Sequence, residues 1–324
     1  MIISKTPMRI SFFGGGTDLP QFYKKEFGCV LSASINKYSY LVVHPAFDDK
    51  NILSYSIREV TNDVGTIKNN RIRAIMKKLN IVKGLEIHSL AEVPAGTGLG
   101  SSSSFTVGLL NALHAYRGKF VTKEILAKEA CEIEIGILKE PIGKQDQYAA
   151  SFGGFNYIQF NKDDSVFVEP VVCSKDTLKD LEKHLVLFYT GITRKAAPIL
   201  KEQGVNMSKL EKLSIMEKMR DIALEAKADL NNNKISRFGE YLDRSWRYKR
   251  TLANGITNQR LDEIYERAIK AGAVGGKILG AGGGGFFLFF CEPNKQKQLE
   301  ERLSDLRRID FEFEFQGSTI IYGG

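Results

Sequence analysis

Cysteine is scarce. The chain has four in 324 residues, Cys29, Cys131, Cys173 and Cys291, widely spaced and without a C-x-x-C pair. That excludes a disulfide-stapled scaffold and a cysteine-based zinc ribbon; the thiols read as reduced. Histidine is as sparse: His44, His88, His114 and His184 are scattered, with no H-E-x-x-H spacing, so each reads as structural. No apolar run approaches the length of a membrane span. The segment Met1-Ile2-Ile3-Ser4-Lys5 lacks the apolar core of a signal peptide, so the expected location is the cytoplasm and no membrane partner is expected. There are no repeats and no disordered tract.

What remains is an ordinary globular composition, 43% hydrophobic and 26% charged, long enough for two domains with real cores. The 46 basic residues outnumber the 38 acidic ones, a balance that suits anionic small molecules or nucleic acid. The densest basic run, Lys68 to Lys83, alternates Arg71, Arg73, Lys77 and Lys78 with Ile72, Ile75, Met76 and Leu79 at helical spacing, so its charges read as a solvated face. No aromatic residues interleave with them, which argues against a nucleic-acid partner.

The richest segment is Val93-Pro94-Ala95-Gly96-Thr97-Gly98-Leu99-Gly100-Ser101-Ser102-Ser103-Ser104. Before it, Leu85 to Leu90 alternates like a strand; after it, Phe105 to Tyr116 carries a helical apolar stripe. A glycine loop between strand and helix lets backbone approach a ligand closely, and the helix N-terminus favours an anion. The pattern is that of a nucleotide phosphate cradle. A P-loop is excluded because no lysine precedes the serines, and Gly276-Lys277 is followed by Ile278. A G-x-G-x-x-G fingerprint fails because the third glycine comes one residue early.

Strands are expected over 2–13, 28–43, 152–160, 185–189, 285–291, 309–315 and 319–322. Helices are expected over 68–80, from Thr122 to about Leu138, and over 210–230, 236–250 and 258–271. The polar stretch 161–183 reads as a boundary, giving domains 1–175 and 176–324. Strands and helices mix without strict alternation, which favours α+β.

Pro94-x-Gly96-x-Gly98-Leu99-Gly100-Ser101-Ser102-Ser103 resembles the ATP-binding motif of the GHMP kinases. Pro7 to Asp18, with Gly14-Gly15-Gly16-Thr17-Asp18, resembles the family's first motif, and Leu279 to Phe286 its third. Gly-Gly-Gly-Thr-Asp, Gly143-Lys144-Gln145-Asp146-Gln147-Tyr148 and Tyr189 to Ala196 further resemble the sugar 1-kinases, most of all those acting on heptose 7-phosphate. The resemblance implies an N-terminal domain like ribosomal protein S5 domain 2 and a ferredoxin-like C-terminal domain. It also implies ATP and Mg2+.

Phosphoryl transfer needs positioning, charge neutralisation and somewhere for the nucleophile's proton to go. Asp146, past Pro141 and Gly143 at a loop-to-helix junction, is the candidate base. Lys144 could steady the developing alkoxide or hold a substrate phosphate, or simply be exposed. Arg9, in an apolar strand, requires a carboxylate or phosphate partner, with Asp146 and Asp18 as candidates. Nucleotide contacts are expected from Pro94, Gly96, Gly98, Leu99, Gly100, Ser101, Ser102 and Ser103. Substrate contacts are expected from Arg9, Gly15, Gly16, Thr17, Asp18, Gly283 and Arg194, with Lys195, Lys249 and Arg250 as further cations. The family's spacing of seven residues before Pro141 marks Glu134 as a metal ligand, with Glu132 as the alternative; Ser102, or else Ser103, supplies the hydroxyl.

The expected activity is an ATP-dependent sugar-phosphate 1-kinase, a monomer or homodimer, serving nucleotide-activated heptose and surface polysaccharide. A fucokinase- or galactokinase-type enzyme, or a non-catalytic sugar or nucleotide sensor, is the competing expectation.

Overall fold

The computed structural model describes residues 1–82, 84–193 and 196–323. The first half of the chain holds β1 (Ile2–Phe13), α1 (Pro20–Tyr23), β2 (Gly28–Pro45), β3 (Asn51–Ser54), β4 (Arg58–Thr61), α2 (Asn70–Lys78), β5 (Leu85–Ala91), α3 (Ser101–Tyr116), α4 (Lys123–Cys131), α5 (Gln145–Phe152), β6 (Phe155–Phe160) and β7 (Val166–Pro170). The second holds α6 (Lys175–His184), β8 (Leu185–Tyr189), α7 (Ala197–Asn206), α8 (Leu210–Asn231), α9 (Phe238–Lys249), α10 (Gln259–Lys270), β9 (Ala273–Ile278), β10 (Phe286–Cys291), α11 (Gln296–Arg302), β11 (Arg307–Ile309) and β12 (Thr319–Gly323).

Two sheets organise these elements. One runs β12-β1-β2-β5-β3-β4, with β6 also paired to β2 and β7 to β6; the other is antiparallel, β11-β8-β10-β9. Strand β2 is long enough to serve two neighbours on one edge: Gly28 to Ala33 pair with β6 and Ser39 to Pro45 with β5. Its pairing with β1 shifts register between Pro7 and Met8, where proline offers no N–H to the ladder. Helix α3 lies across β1 and β2, and the bare backbone of Gly108 allows the approach: a Cβ there would stand 2.7 Å from Thr6 Oγ1. Strand β10, Phe-Phe-Leu-Phe-Phe-Cys, is buried throughout. Phe286, Leu288 and Phe290 enter the core shared with β1 and β2, while Phe287, Phe289 and Cys291 enter the core under α9 and α10. A strand covered on both faces has no reason to alternate.

The α+β expectation matches this mixed architecture. The division at 175/176 falls in the first turn of α6, but β12 crosses back to pair with β1 in the first sheet. Several local expectations change. The stretch 161–183 contains β7 and α6; α6 shows only Leu178 and Leu181 as an apolar stripe, too little to stand out among its charges. The helix from Thr122 ends as α at Cys131 and continues as a π-helical turn, Glu132–Ile137. Residues 311–315 do not belong to β11; they run beside β2, with Glu314 N donating to Ser34 O at 2.9 Å and Phe313 bridging Ile35. Helix α2 does not present all its charges to solvent, because Arg71 turns inward to Glu134 and Glu140. Among the described residues, no helix is long and apolar enough to cross a membrane.

Candidate active site

An open cavity lies where the three glycine segments meet. Gly96, Gly98, Gly100 and the serines 101–103 form one wall, Gly15, Gly16 and Asp18 another, and Gly280 and Ala281 a third. The glycines are needed for the two loops to touch. Gly98 has φ +90°, and a Cβ on it would stand 2.5 Å from Leu279 O; one on Gly280 would stand 2.6 Å from Gly98 Cα. The serine run is itself helix: α3 starts at Ser101, with Gly100 as its left-handed N-cap. The amides of that first turn therefore have no partner within the helix and are available to an anion at the cavity wall.

Arg9 and Asp146 meet in the floor. Arg9 is 4% exposed on β1. Its Nε donates to Asp146 Oδ1 at 2.8 Å, Nη2 to Oδ2 at 2.9 Å, and Nη1 to Gly98 O at 2.6 Å. Asp146 stands in the first turn of α5 and keeps 24% of its side chain exposed to the cavity. Its carboxylate turns to Arg9, not to the helix amides, so it is no cap.

Asp18 is buried beside them. Its Oδ1 accepts from Gly16 N at 2.9 Å and Gln145 Nε2 at 3.1 Å, and Oδ2 accepts from Gln145 N at 3.2 Å. Burial, then the nearby Asp146 charge, push its carboxyl up to about 6. Gly143 makes room for it, since a Cβ there would lie 1.9 Å from Asp18 Oδ2.

Glu134 sits on the π-helical turn, fully buried behind the serines. It accepts from Ser103 Oγ and Thr106 Oγ1 at 2.8 Å, Arg71 Nε at 3.2 Å and Gln147 Nε2 at 2.5 Å. Glu132 instead pairs outward with Lys78 at 2.7 Å. Of the two serines, Ser102 is exposed on the cavity wall, while Ser103 makes the link to Glu134.

Some expected residues stand elsewhere. Lys144 is directed away from the cavity: its ammonium donates to Asp164 Oδ1 at 3.0 Å and lies 4.7 Å above the Tyr23 ring. Thr17 is buried under its loop, where its hydroxyl donates to the Gly14 and Cys29 carbonyls at 2.7 and 2.8 Å. Gly283 donates its N–H to Ile256 O at 2.7 Å, and Gly280 and Ala281 face the cavity in its stead. Leu99 is buried, its carbonyl accepting from Arg9 N at 3.0 Å, and Pro94 is exposed outside the cavity. Arg250 pairs with Asp262 at 2.9 Å, whereas Lys249 lines the cavity, with Nζ donating to Ile278 O at 2.9 Å. Arg194 and Lys195 lie outside the described residues.

Sequence reasoning missed Lys277. This lysine on β9 is 2% exposed, lines the cavity, and donates to the carbonyls of Ser11 and Phe12 at 3.0 and 2.6 Å. Burial, then the neighbouring Arg9 charge, bring its ammonium down to about 7. The argument that singled out Arg9, a cation in an apolar strand, applies equally to Ala273-Val274-Gly275-Gly276-Lys277-Ile278. Ser11 was missed too. It is 5% exposed, and its hydroxyl, like Gln145 Oε1, finds no hydrogen-bond partner among the described residues. Both residues line the cavity beside Gly15, whose Cβ, if present, would stand 3.6 Å from the Ser11 hydroxyl, an ordinary contact.

Residues 67–154 match the family model for the GHMP kinases N terminal domain, and residues 226–307 match GHMP kinases C terminal. The chain is 32% identical to the D-glycero-alpha-D-manno-heptose 7-phosphate kinase of Campylobacter jejuni, across 98% of this chain and 97% of that one. The crystal structure of a D-glycero-D-manno-heptose 1-phosphate kinase from Bacteroides thetaiotaomicron superposes with a TM-score of 0.81 at 25% identity, covering 99% of both chains. That of a putative sugar kinase from Campylobacter jejuni gives 0.79 at 31% identity, covering 99% of this chain and 98% of that one.

Proposed function

Because the chain belongs to the GHMP kinase family, we propose that it transfers the γ-phosphoryl group of ATP to the anomeric C1 hydroxyl of D-glycero-D-manno-heptose 7-phosphate, giving the 1,7-bisphosphate for nucleotide-activated heptose and surface polysaccharide. The observation that carries the reading is one cavity in which a fixed carboxylate, Asp146, faces the free amides of the α3 N-terminus. ATP phosphates occupy the cradle of Gly96, Gly98, Gly100 and the serines. The sugar lies between that cradle and the wall of Gly15, Gly16 and Asp18. Ser11 Oγ and Gln145 Oε1, buried and unsatisfied, suit a ligand rich in hydroxyls, because a buried polar atom without a partner is destabilising until something pairs with it.

Asp146 accepts the proton of the attacking hydroxyl. Arg9 is a positioning residue: it fixes the orientation of that carboxylate and ties α5 to the phosphate loop through Gly98 O. Segment 1–175 supplies the cradle and the base, and segment 176–324 closes the cavity with Lys277, Gly280 and Ala281. Mg2+ needs few protein ligands of hard oxygen; Ser102 is exposed on the cavity wall, while Glu134, buried behind the serines, already accepts four hydrogen bonds and would have to release one to reach the ion. Ser102 and Glu134 would hold it, and when bound it neutralises phosphate charge.

The test is ATP turnover with magnesium against heptose 7-phosphate, free mannoheptose, fucose, galactose and mevalonate, with the phosphorylated carbon located by NMR. Selective transfer to C1 of heptose 7-phosphate is expected. Turnover of fucose or galactose alone would replace the substrate, and no turnover on any of them would overturn the catalytic reading.

A further inference from the structure

No metal-type spacing joins the four histidines in sequence, yet folding brings two of them to one carboxylate. His44, near the end of β2, stands directly opposite Glu86 of β5 in the antiparallel ladder. His88 is two residues further along β5, so its side chain leaves the sheet on the same face as Glu86. Val43, Leu85 and Ile87 point the other way, into the core. The three polar side chains therefore stand together on the outer face, each between a fifth and two-fifths exposed.

The spacing is that of a ligand set. His88 Nε2 is 2.9 Å from Glu86 Oε1, His44 Nε2 is 3.6 Å from Glu86 Oε2, and one ligand atom from each residue falls within 4.8 Å of the others. The imidazole rings stack, centroids 6.2 Å apart and 15° from parallel. A second observation points the same way: His44 Nδ1 lies 2.9 Å from the Pro45 carbonyl. With its proton on Nδ1 donated to that oxygen, Nε2 carries the free lone pair on the side of Glu86. A carbonyl behind a histidine in this way fixes ring and tautomer for metal binding.

The geometry points to a site for a borderline divalent transition-metal ion of the Zn2+ class, held by His44 Nε2, His88 Nε2 and the Glu86 carboxylate, with water completing the coordination. Metal–ligand bonds of about 2.0–2.2 Å place tetrahedral ligand atoms roughly 3.3 Å apart, so small movements of these part-exposed side chains suffice. Two imidazoles are poor ligands for Mg2+, which separates this site chemically from the cation proposed beside the phosphates. A metal here would staple β2 to β5, the strand that leads into the glycine loop.

The experiment is calorimetric titration of metal-stripped, full-length protein with Zn2+, without nucleotide because ATP chelates the ion, alongside Co2+ absorption spectra. One saturable equivalent of Zn2+ is expected, with a rise in Tm and no matching heat from Mg2+. His44→Gln and His88→Gln should each weaken binding by about tenfold or more, while ATP turnover with magnesium is unchanged. The Co2+ complex should show visible d–d bands without the sulfur-to-cobalt band that ligation by part-buried Cys131 or Cys173 would give. No saturable Zn2+ binding, binding undiminished in both variants, or a thiolate band would each overturn the site.

Discussion

The Arg9 guanidinium grips both oxygens of Asp146 across 137 positions of sequence, Nε to Oδ1 at 2.8 Å and Nη2 to Oδ2 at 2.9 Å. A two-point contact fixes direction as well as distance. Since Nη1 also reaches Gly98 O, one side chain sets the angle between the proposed base and the phosphate loop.

Asp146→Asn should lower kcat by about 10²–10⁴-fold while the Kd for ATP stays within a few-fold, because the amide keeps the shape and one acceptor for Arg9. Nucleotide titration and single-turnover kinetics separate the two. Loss of ATP binding together with a collapsed Tm would make Asp146 structural.

Arg9→Lys keeps the charge but cannot reproduce the fork. It should lower kcat more than it raises KM for the sugar, with a stability loss on the order of 1–3 kcal/mol. A rise in KM alone would indicate that Arg9 serves substrate binding in place of orienting Asp146.

Asp18 titrates upward, to about 6 against an ordinary 3.8. The folded state thus binds the proton more readily than the unfolded chain. The stability this gives is fully present below about 3.8 and is lost as pH rises through about 6, an effect of up to roughly 3 kcal/mol. Urea melts of wild type and Asp18→Asn from pH 4 to 7 check it. Wild type should lose ground to the variant across that window, and parallel curves would refute the shifted carboxyl.

Lys277 titrates downward, to about 7 from 10.5. Here the unfolded state binds the extra proton, so wild type should gain stability over Lys277→Met as pH rises from about 7 towards 10. An anionic ligand in the cavity favours the charged ammonium. Nucleotide or sugar-phosphate binding near pH 7.5 should therefore take up protons, seen by calorimetry in buffers of different ionisation enthalpy. Equal uptake by Lys277→Met would remove this lysine from the account.

Gly98→Ala would need φ +90° and would drive a Cβ to within 2.5 Å of the Leu279 carbonyl. A loss on the order of 1–3 kcal/mol from the backbone alone, with more from the clash, is expected, together with weaker ATP binding. Gly84→Ala, also at positive φ but with open space around it, is the control. Equal effects of the two on ATP affinity would show that the packing of the two glycine loops does not matter.

Much of the local structure was legible because its signal is periodic or chemical. Strand β1, helix α10 with Asn258 as its N-cap, and the glycine loops announce themselves in a few residues each. Helix α6 and strand β9 do not: one carries only two apolar positions, and the other is interrupted by Gly275, which lets α9 pack closely, and Gly276, which leaves room for the Phe289 ring of β10. The rotation of Lys144 toward Asp164 was also invisible, because nothing local makes a flexible cation prefer Asp146, two residues on, to Asp164, twenty residues on.

The sequence by itself determined the kinds of groups present and where backbone had to be bare: glycines at three loops, serines at a helix start, and a carboxylate past Pro141. These follow from short-range sterics and hydrogen bonding, which a few consecutive residues settle. Only the tertiary structure decided which groups meet. Arg9 chose Asp146 over Asp18, Glu134 gathered four donors from α2, α3 and α5, and Lys277 arrived in the cavity from the far end of the chain. Such pairings depend on strand order and burial, where the energy of a buried charge rests on its neighbours in space and not in sequence.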